Sequence, residues 1–85
     1  MEDFKAFKEK LEKVHNFPTL YMFKFIVPKD KVAEVELLFP KNEIVTKPSS
    51  SGKYISMTIK SMMESADHII EVYTEAKKIK GIISL

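Results

Sequence analysis

Two hydrophobic periods alternate along this chain, and the switches between them mark its elements. Phe4, Phe7, Leu11 and Val14 recur at spacings of three and four with Lys and Glu between them, which predicts a helix over residues 3–15. Glu9 and Lys13 add an i,i+4 ion pair in the favourable order. Pro18 ends that helix, because the residue before a proline avoids the α region. From Thr19 to Val27 the residues are aromatic, aliphatic and β-branched, and a strand is predicted. Its odd positions, Tyr21, Phe23, Phe25 and Val27, are all large and apolar, whereas Leu20, Met22, Lys24 and Ile26 are mixed. Strand side chains alternate faces, so the odd set is expected in the core.

Pro28-Lys29-Asp30 reads as a turn, with Asp30 as N-cap of a short helix carrying Val32, Val35, Leu38 and Phe39 and closed by Pro40. Glu43 to Lys47 is a second strand and Lys53 to Ser61 a third, in which Ile55, Met57 and Ile59 oppose Tyr54, Ser56, Thr58 and Lys60. Ser61-Met62-Met63-Glu64 has the form of a capping box, with Ser65 as a rival cap. Ala66, Ile69, Ile70, Tyr73 and Ala76 carry a helix to about Ile79, Gly81 terminates it, and Ile82 to Leu85 is a last strand.

Two split β-α-β units in this order predict an α+β fold, a ferredoxin-like βαββαβ plait. Its antiparallel sheet has four strands, the first and third central, with both crossover helices on one face. Residues 1–85 form one domain, with 1–16 as a helical addition. The plait leaves one sheet face open. That face would carry Leu20, Met22, Lys24, Ile26, Tyr54, Ser56 and Thr58, and its apolar members need a cover or a partner. The stripe Phe4, Phe7, Leu11 and Val14 is expected to pack on that open face, or against another chain.

Phe17-Pro18-Thr19 before the first strand, and Lys47-Pro48-Ser49-Ser50-Ser51-Gly52-Lys53-Tyr54 with Ser56 after it, resemble the YbeD-like family of small bacterial proteins of unknown function. The preceding helix and the hydrophobic last strand also match. The fold of that family resembles the ACT regulatory domain. The resemblance implies a plait and no established reaction. ACT domains take small effectors near a glycine-containing turn after their first strand; here the turn is Val27-Pro28-Lys29-Asp30, without glycine.

Composition narrows the chemistry further. A chain of 85 residues buries only about 60–65% of its unfolded surface, enough for one thin core. No apolar run approaches the ~20 residues that span a bilayer. Glu2, Asp3 and Lys5 are unlike a secretory leader, so a cytoplasmic location is expected. With no cysteine, disulfides, thiolate nucleophiles and cysteine-ligated metals are excluded. The net charge is +2, from 14 cations against 12 acids, and every cation is lysine. Arginine supplies the planar fork for phosphates and guanine edges, so its absence argues against nucleic acid as partner.

The loop from Lys47 to Tyr54 is the leading candidate for an interaction site. Serine hydroxyls, backbone N–H groups and two lysines could hold an anionic group there. The simpler reading is an exposed hairpin loop stabilised by its own serines. Ser51-Gly52-Lys53 is not a phosphate-binding P-loop, because the first glycine is missing, Tyr54 replaces the magnesium-holding Ser/Thr, and a strand follows. Asp67 and His68 are helical neighbours that do not face each other. His15, beside Asn16, is expected at a solvent-facing or capping position, and with His68 it makes a poor metal pair. Met57, Met62 and Met63 are expected as core filling. An RNA-binding plait would show aromatics on the open face, where only Tyr54 falls.

The resulting expectation is a non-catalytic regulatory or protein-interaction module of ACT-like type, without cofactor or catalytic residues. Its partner would be a protein, with room for a small-molecule effector and no membrane. The chain itself would be a monomer or weak homodimer. The alternative is an RNA- or anion-binding plait using lysines and the open sheet face.

Overall fold

In a computed structural model, which describes residues 4–85 and only the backbone of Phe4, the chain forms three helices on one side of a four-stranded antiparallel sheet. The elements are α1 (Phe4–Val14), β1 (Thr19–Pro28), a 3-10 turn (Lys29–Lys31), α2 (Val32–Leu38), β2 (Ile44–Pro48), β3 (Tyr54–Met63), α3 (Ala66–Ala76) and β4 (Ile83–Ser84). The strand order is β2-β3-β1-β4, the ferredoxin-like plait with an added N-terminal helix. The predicted helix start at residue 3 and the Phe4 side chain of the apolar stripe lie outside the described residues.

The register explains the core. β1 and β3 pair along their whole length, from Thr19 opposite Met63 to Pro28 opposite Tyr54. Phe23, Phe25, Val27, Met57 and Ile59 are therefore on one face and fully buried. Val35 of α2, Ala66, Ile69 and Ala76 of α3 and Leu11 of α1 close over them in one cluster. Aromatic rings fill its centre: Phe23 lies 5.2 Å from Phe39 and 5.3 Å from Tyr73. Burying each large side chain stabilises by roughly 1.5–3 kcal/mol, so this face outweighs every polar contact in the molecule.

Several boundaries depart from the sequence pattern. β3 continues past Ser61 to Met63, so Ser61-Met62-Met63-Glu64 is not a capping box. Ser65 is the cap, and its hydroxyl accepts from the His68 N–H at 3.1 Å. The misleading residue is Ser61, a polar group at a core-facing register position; it is buried, and its hydroxyl donates to Asn42 Oδ1 at 3.5 Å. Asp30 does not cap α2. It lies within the 3-10 turn that runs directly into that helix, and neither start has a side-chain cap. α3 ends at Ala76, and Ile79 stays buried through a non-helical turn.

α1 does not cover the open sheet face. It joins the helical layer beside α3, where Phe7 meets Tyr73 edge-on at 5.9 Å, Leu11 enters the core, and Lys8 pairs with Asp67 at 3.2 Å. Val14, the last member of the stripe, stays outside at 69% exposure. The aromatic cluster around Tyr73 is a better apolar surface for Phe7 and Leu11 than the lysine-dotted open face.

Candidate functional site

The open face is defined by pleat alternation. Because Phe23 and Phe25 point into the core, Leu20, Met22, Lys24 and Ile26 point away from it. Opposite them on β3 stand Met62, Lys60, Thr58 and Ser56. β2 contributes Val45 and Lys47, and β4 places Ile83 beside Ile26. Leu20, Met22 and Met62 are more than half exposed, at 58%, 54% and 55%. Val45 and Ile83 are also exposed. Met62 was expected in the core; the even register of β3 puts it outside, while Met57 and Met63 are buried. No described residue crosses this face.

Its charge is unbalanced. Lys24, Lys47 and Lys60 stand among the apolar groups. Glu43 answers them from the head of β2, lining a shallow depression of about 250 Å³ with Val45, Thr58 and Lys60. The face can therefore hold apolar side chains and carboxylates together.

The Lys47–Tyr54 loop is arranged differently from an open cradle. Pro48 ends β2 and Tyr54 begins β3, so the free loop is Ser49 to Lys53. The Ser49 N–H donates to the Tyr54 carbonyl at 2.8 Å, and the Gly52 N–H to the Ser49 carbonyl at 3.0 Å. The Ser49 hydroxyl accepts from the Tyr54 N–H and the Ser51 hydroxyl from the Lys53 N–H, both at 3.3 Å. Gly52 supplies the φ of +77° that lets the turn close. Four backbone N–H groups, those of Ser49, Gly52, Lys53 and Tyr54, are thus bonded within the loop itself. The Ser50 hydroxyl and N–H, the Ser51 N–H and the ammonium groups of Lys47 and Lys53 have no partner among the described residues.

The titratable side chains outside this face are dispersed. Asp67 faces Lys8, whereas His68 Nδ1 accepts from the Glu64 N–H at 3.5 Å. His68 also borders a cleft of about 230 Å³ between α2 and α3, with Lys41, Asn42 and Ser61 above Phe39 and Met63. Sequence periodicity does not reveal that grouping, since its polar members come from separate segments. His15 directly follows α1, its N–H donating to the Leu11 carbonyl at 3.0 Å, and its half-buried ring lies 5.6 Å from Tyr21 and 6.0 Å from Phe17. The Tyr73 phenol is held well above its ordinary range by burial, then by its hydroxyl contact with Tyr21 at 3.2 Å. Among the described residues no group of three or more His, Cys, Asp or Glu could hold a metal ion. No described helix is long and apolar enough to cross a membrane.

Comparison with known proteins places these features in a family. Residues 12–85 match the family model described as DUF493, a protein of unknown function. A UPF0250 protein of Shewanella putrefaciens is 32% identical over 80 residues, covering 86% of this chain and 91% of its own length. UPF0250 proteins of Shewanella baltica and Shewanella oneidensis are 34% identical over the same extents. No solved structure matches the chain.

Proposed function

Since the chain belongs to the DUF493 family of small bacterial proteins, whose description assigns no activity, we propose from its surface that it is a non-catalytic protein-interaction domain. The observation that carries this reading is the uncovered sheet face, with Leu20, Met22 and Met62 exposed beside Lys24 and Lys60. Contiguous exposed apolar groups on a small domain mark an interaction surface. The lysines select the partner: a protein segment carrying carboxylates among apolar residues. A second copy of the chain docked face to face would set lysine against lysine, which costs affinity. Nucleic acid would find the same lysines but no stacking platform, because Tyr21, Phe23 and Phe25 lie on the core register.

Capture from a bacterial lysate tests the proposal, with the wild type and a Leu20→Ser/Met22→Ser/Met62→Ser variant as parallel baits. A protein held by the wild type, released by salt and lost by the folded variant is expected. Retention of every captured protein by the variant, or capture of nuclease-sensitive material only, would refute it.

A further inference from the structure

β1 is a central strand that loses its outer neighbour halfway along. It runs from Thr19 to Pro28, but β4 pairs with it only at Phe25 and Ile26, with one further bond from the Leu85 N–H to the Lys24 carbonyl at 2.9 Å. That bond fixes the direction of the backbone groups. Since the Lys24 carbonyl points outward toward β4, alternation points the N–H and C=O of Met22 and Leu20 outward as well. Those of Tyr21 and Phe23 point inward to β3. Among the described residues nothing pairs with the outward groups of Leu20 and Met22. An unpaired strand edge is a template for another strand.

A second feature lies at the same stretch of β1. Phe7, Lys10, Leu11, Val14, His15 and Tyr21 line a hollow of about 250 Å³ between α1 and β1. It is apolar at its base, edged by Lys10 and His15, and has no carboxylate in its lining. A strand added beside β1 would place the residue opposite Tyr21 on the same face as Tyr21, toward this hollow. The residues opposite Leu20 and Met22 would fall on the open face, beside exposed Leu20 and Met22.

We infer that the free edge of β1 at Leu20–Met22 is a strand-addition site for an extended segment of a partner protein, with a short apolar run and an adjacent acidic residue. Backbone bonds to Leu20 and Met22 hold the segment, as in other β-augmentation complexes. The hollow takes one apolar side chain, and Lys10 attracts the neighbouring carboxylate. This site shares Leu20 and Met22 with the sheet-face reading above, but it rests on the strand edge and the hollow beside α1.

The probe is a synthetic peptide, acetyl-Ser-Asp-Val-Leu-Val-Asp-Ser-amide, titrated into the 85-residue chain while amide exchange is followed residue by residue. In the free protein the Leu20 and Met22 amides exchange far faster than those of Tyr21 and Phe23. With peptide bound they slow by at least about tenfold, since a hydrogen-bonded amide exchanges only on opening. The same peptide N-methylated at alternate residues gives no protection. Lys10→Glu weakens the unmodified peptide by roughly fivefold, in line with losing and reversing one exposed charge contact. Absence of binding at millimolar peptide, or binding that leaves both amides unprotected, overturns the inference. Peptide shifts confined to Lys24, Thr58 and Lys60 would overturn it while supporting the sheet-face reading. Protection already present in the free protein and lost on dilution would assign the edge to a second copy, and would also overturn it.

Discussion

Gly81→Ala is expected to be the more damaging of two glycine substitutions that look equivalent in the sequence. Both glycines adopt a positive φ, +84° at Gly81 and +77° at Gly52. An L-residue pays about 1–2 kcal/mol to adopt that conformation, so this cost is common to both. The surroundings differ. A Cβ at Gly81 would lie 2.8 Å from Pro28 Cγ and 3.3 Å from its Cδ, whereas at Gly52 nothing lies within 4 Å. The proline ring has little freedom to retreat, and overpacking of this kind costs typically about 1–3 kcal/mol more. Gly81→Ala should therefore cost roughly 2–5 kcal/mol against roughly 1–2 for Gly52→Ala, both lessened by similar unfolded-state entropy. Urea unfolding of the two variants and wild type measures the difference directly. Exchange at Leu85 gives a local reading, because Gly81 delivers the chain to β4 and the Leu85 N–H bonds Lys24. Equal midpoints for the two variants would refute the reasoning, showing that the Pro28 contact yields and does not fix the entry to β4.

Tyr73→Phe tests the hydroxyl pair with Tyr21. Because the Tyr73 phenol titrates above its unfolded value, its contribution is complete below the ordinary tyrosine pKa of about 10 and is lost as pH rises beyond it. The wild type should lose stability above that pH more steeply than the variant; parallel alkaline unfolding curves would contradict this. Leu11→Ala should cost about 2–4 kcal/mol by thermal or urea unfolding, since Leu11 is 5% exposed and belongs to the core cluster; a neutral result would mean α1 is not docked. Ser49→Ala/Ser51→Ala should cost about 1 kcal/mol and speed exchange at Tyr54 and Lys53, whose N–H groups those hydroxyls accept, while Ser50→Ala leaves both unchanged.

The sequence alone determined the plait. Alternation in Thr19–Val27 and Tyr54–Ile59 separates a core face from an open face, and the spacing of Ala66, Ile69, Tyr73 and Ala76 makes a helix that closes over it. Those signals are legible because burying an apolar face dominates the energy, and burial imposes its period on the residues themselves. Leu20, Met22, Lys24, Ile26, Ser56 and Thr58 were legible as the open face for the same reason, being simply the complement of the core. Tertiary structure decided what periodicity does not encode. Whether Ser61 ends β3 or continues it depends on Thr19 standing opposite Met63. Whether Phe7 and Leu11 cover the sheet or join the helices depends on Tyr73, far away in sequence, offering a ring at 5.9 Å. That the hydroxyls of Ser49 and Ser51 accept from the Tyr54 and Lys53 N–H groups is likewise written nowhere in the serine run itself. The free edge at Leu20 and Met22 has no signature in its own residues. It exists because β4 pairs with only the far half of β1, a relation between segments more than fifty residues apart in the chain.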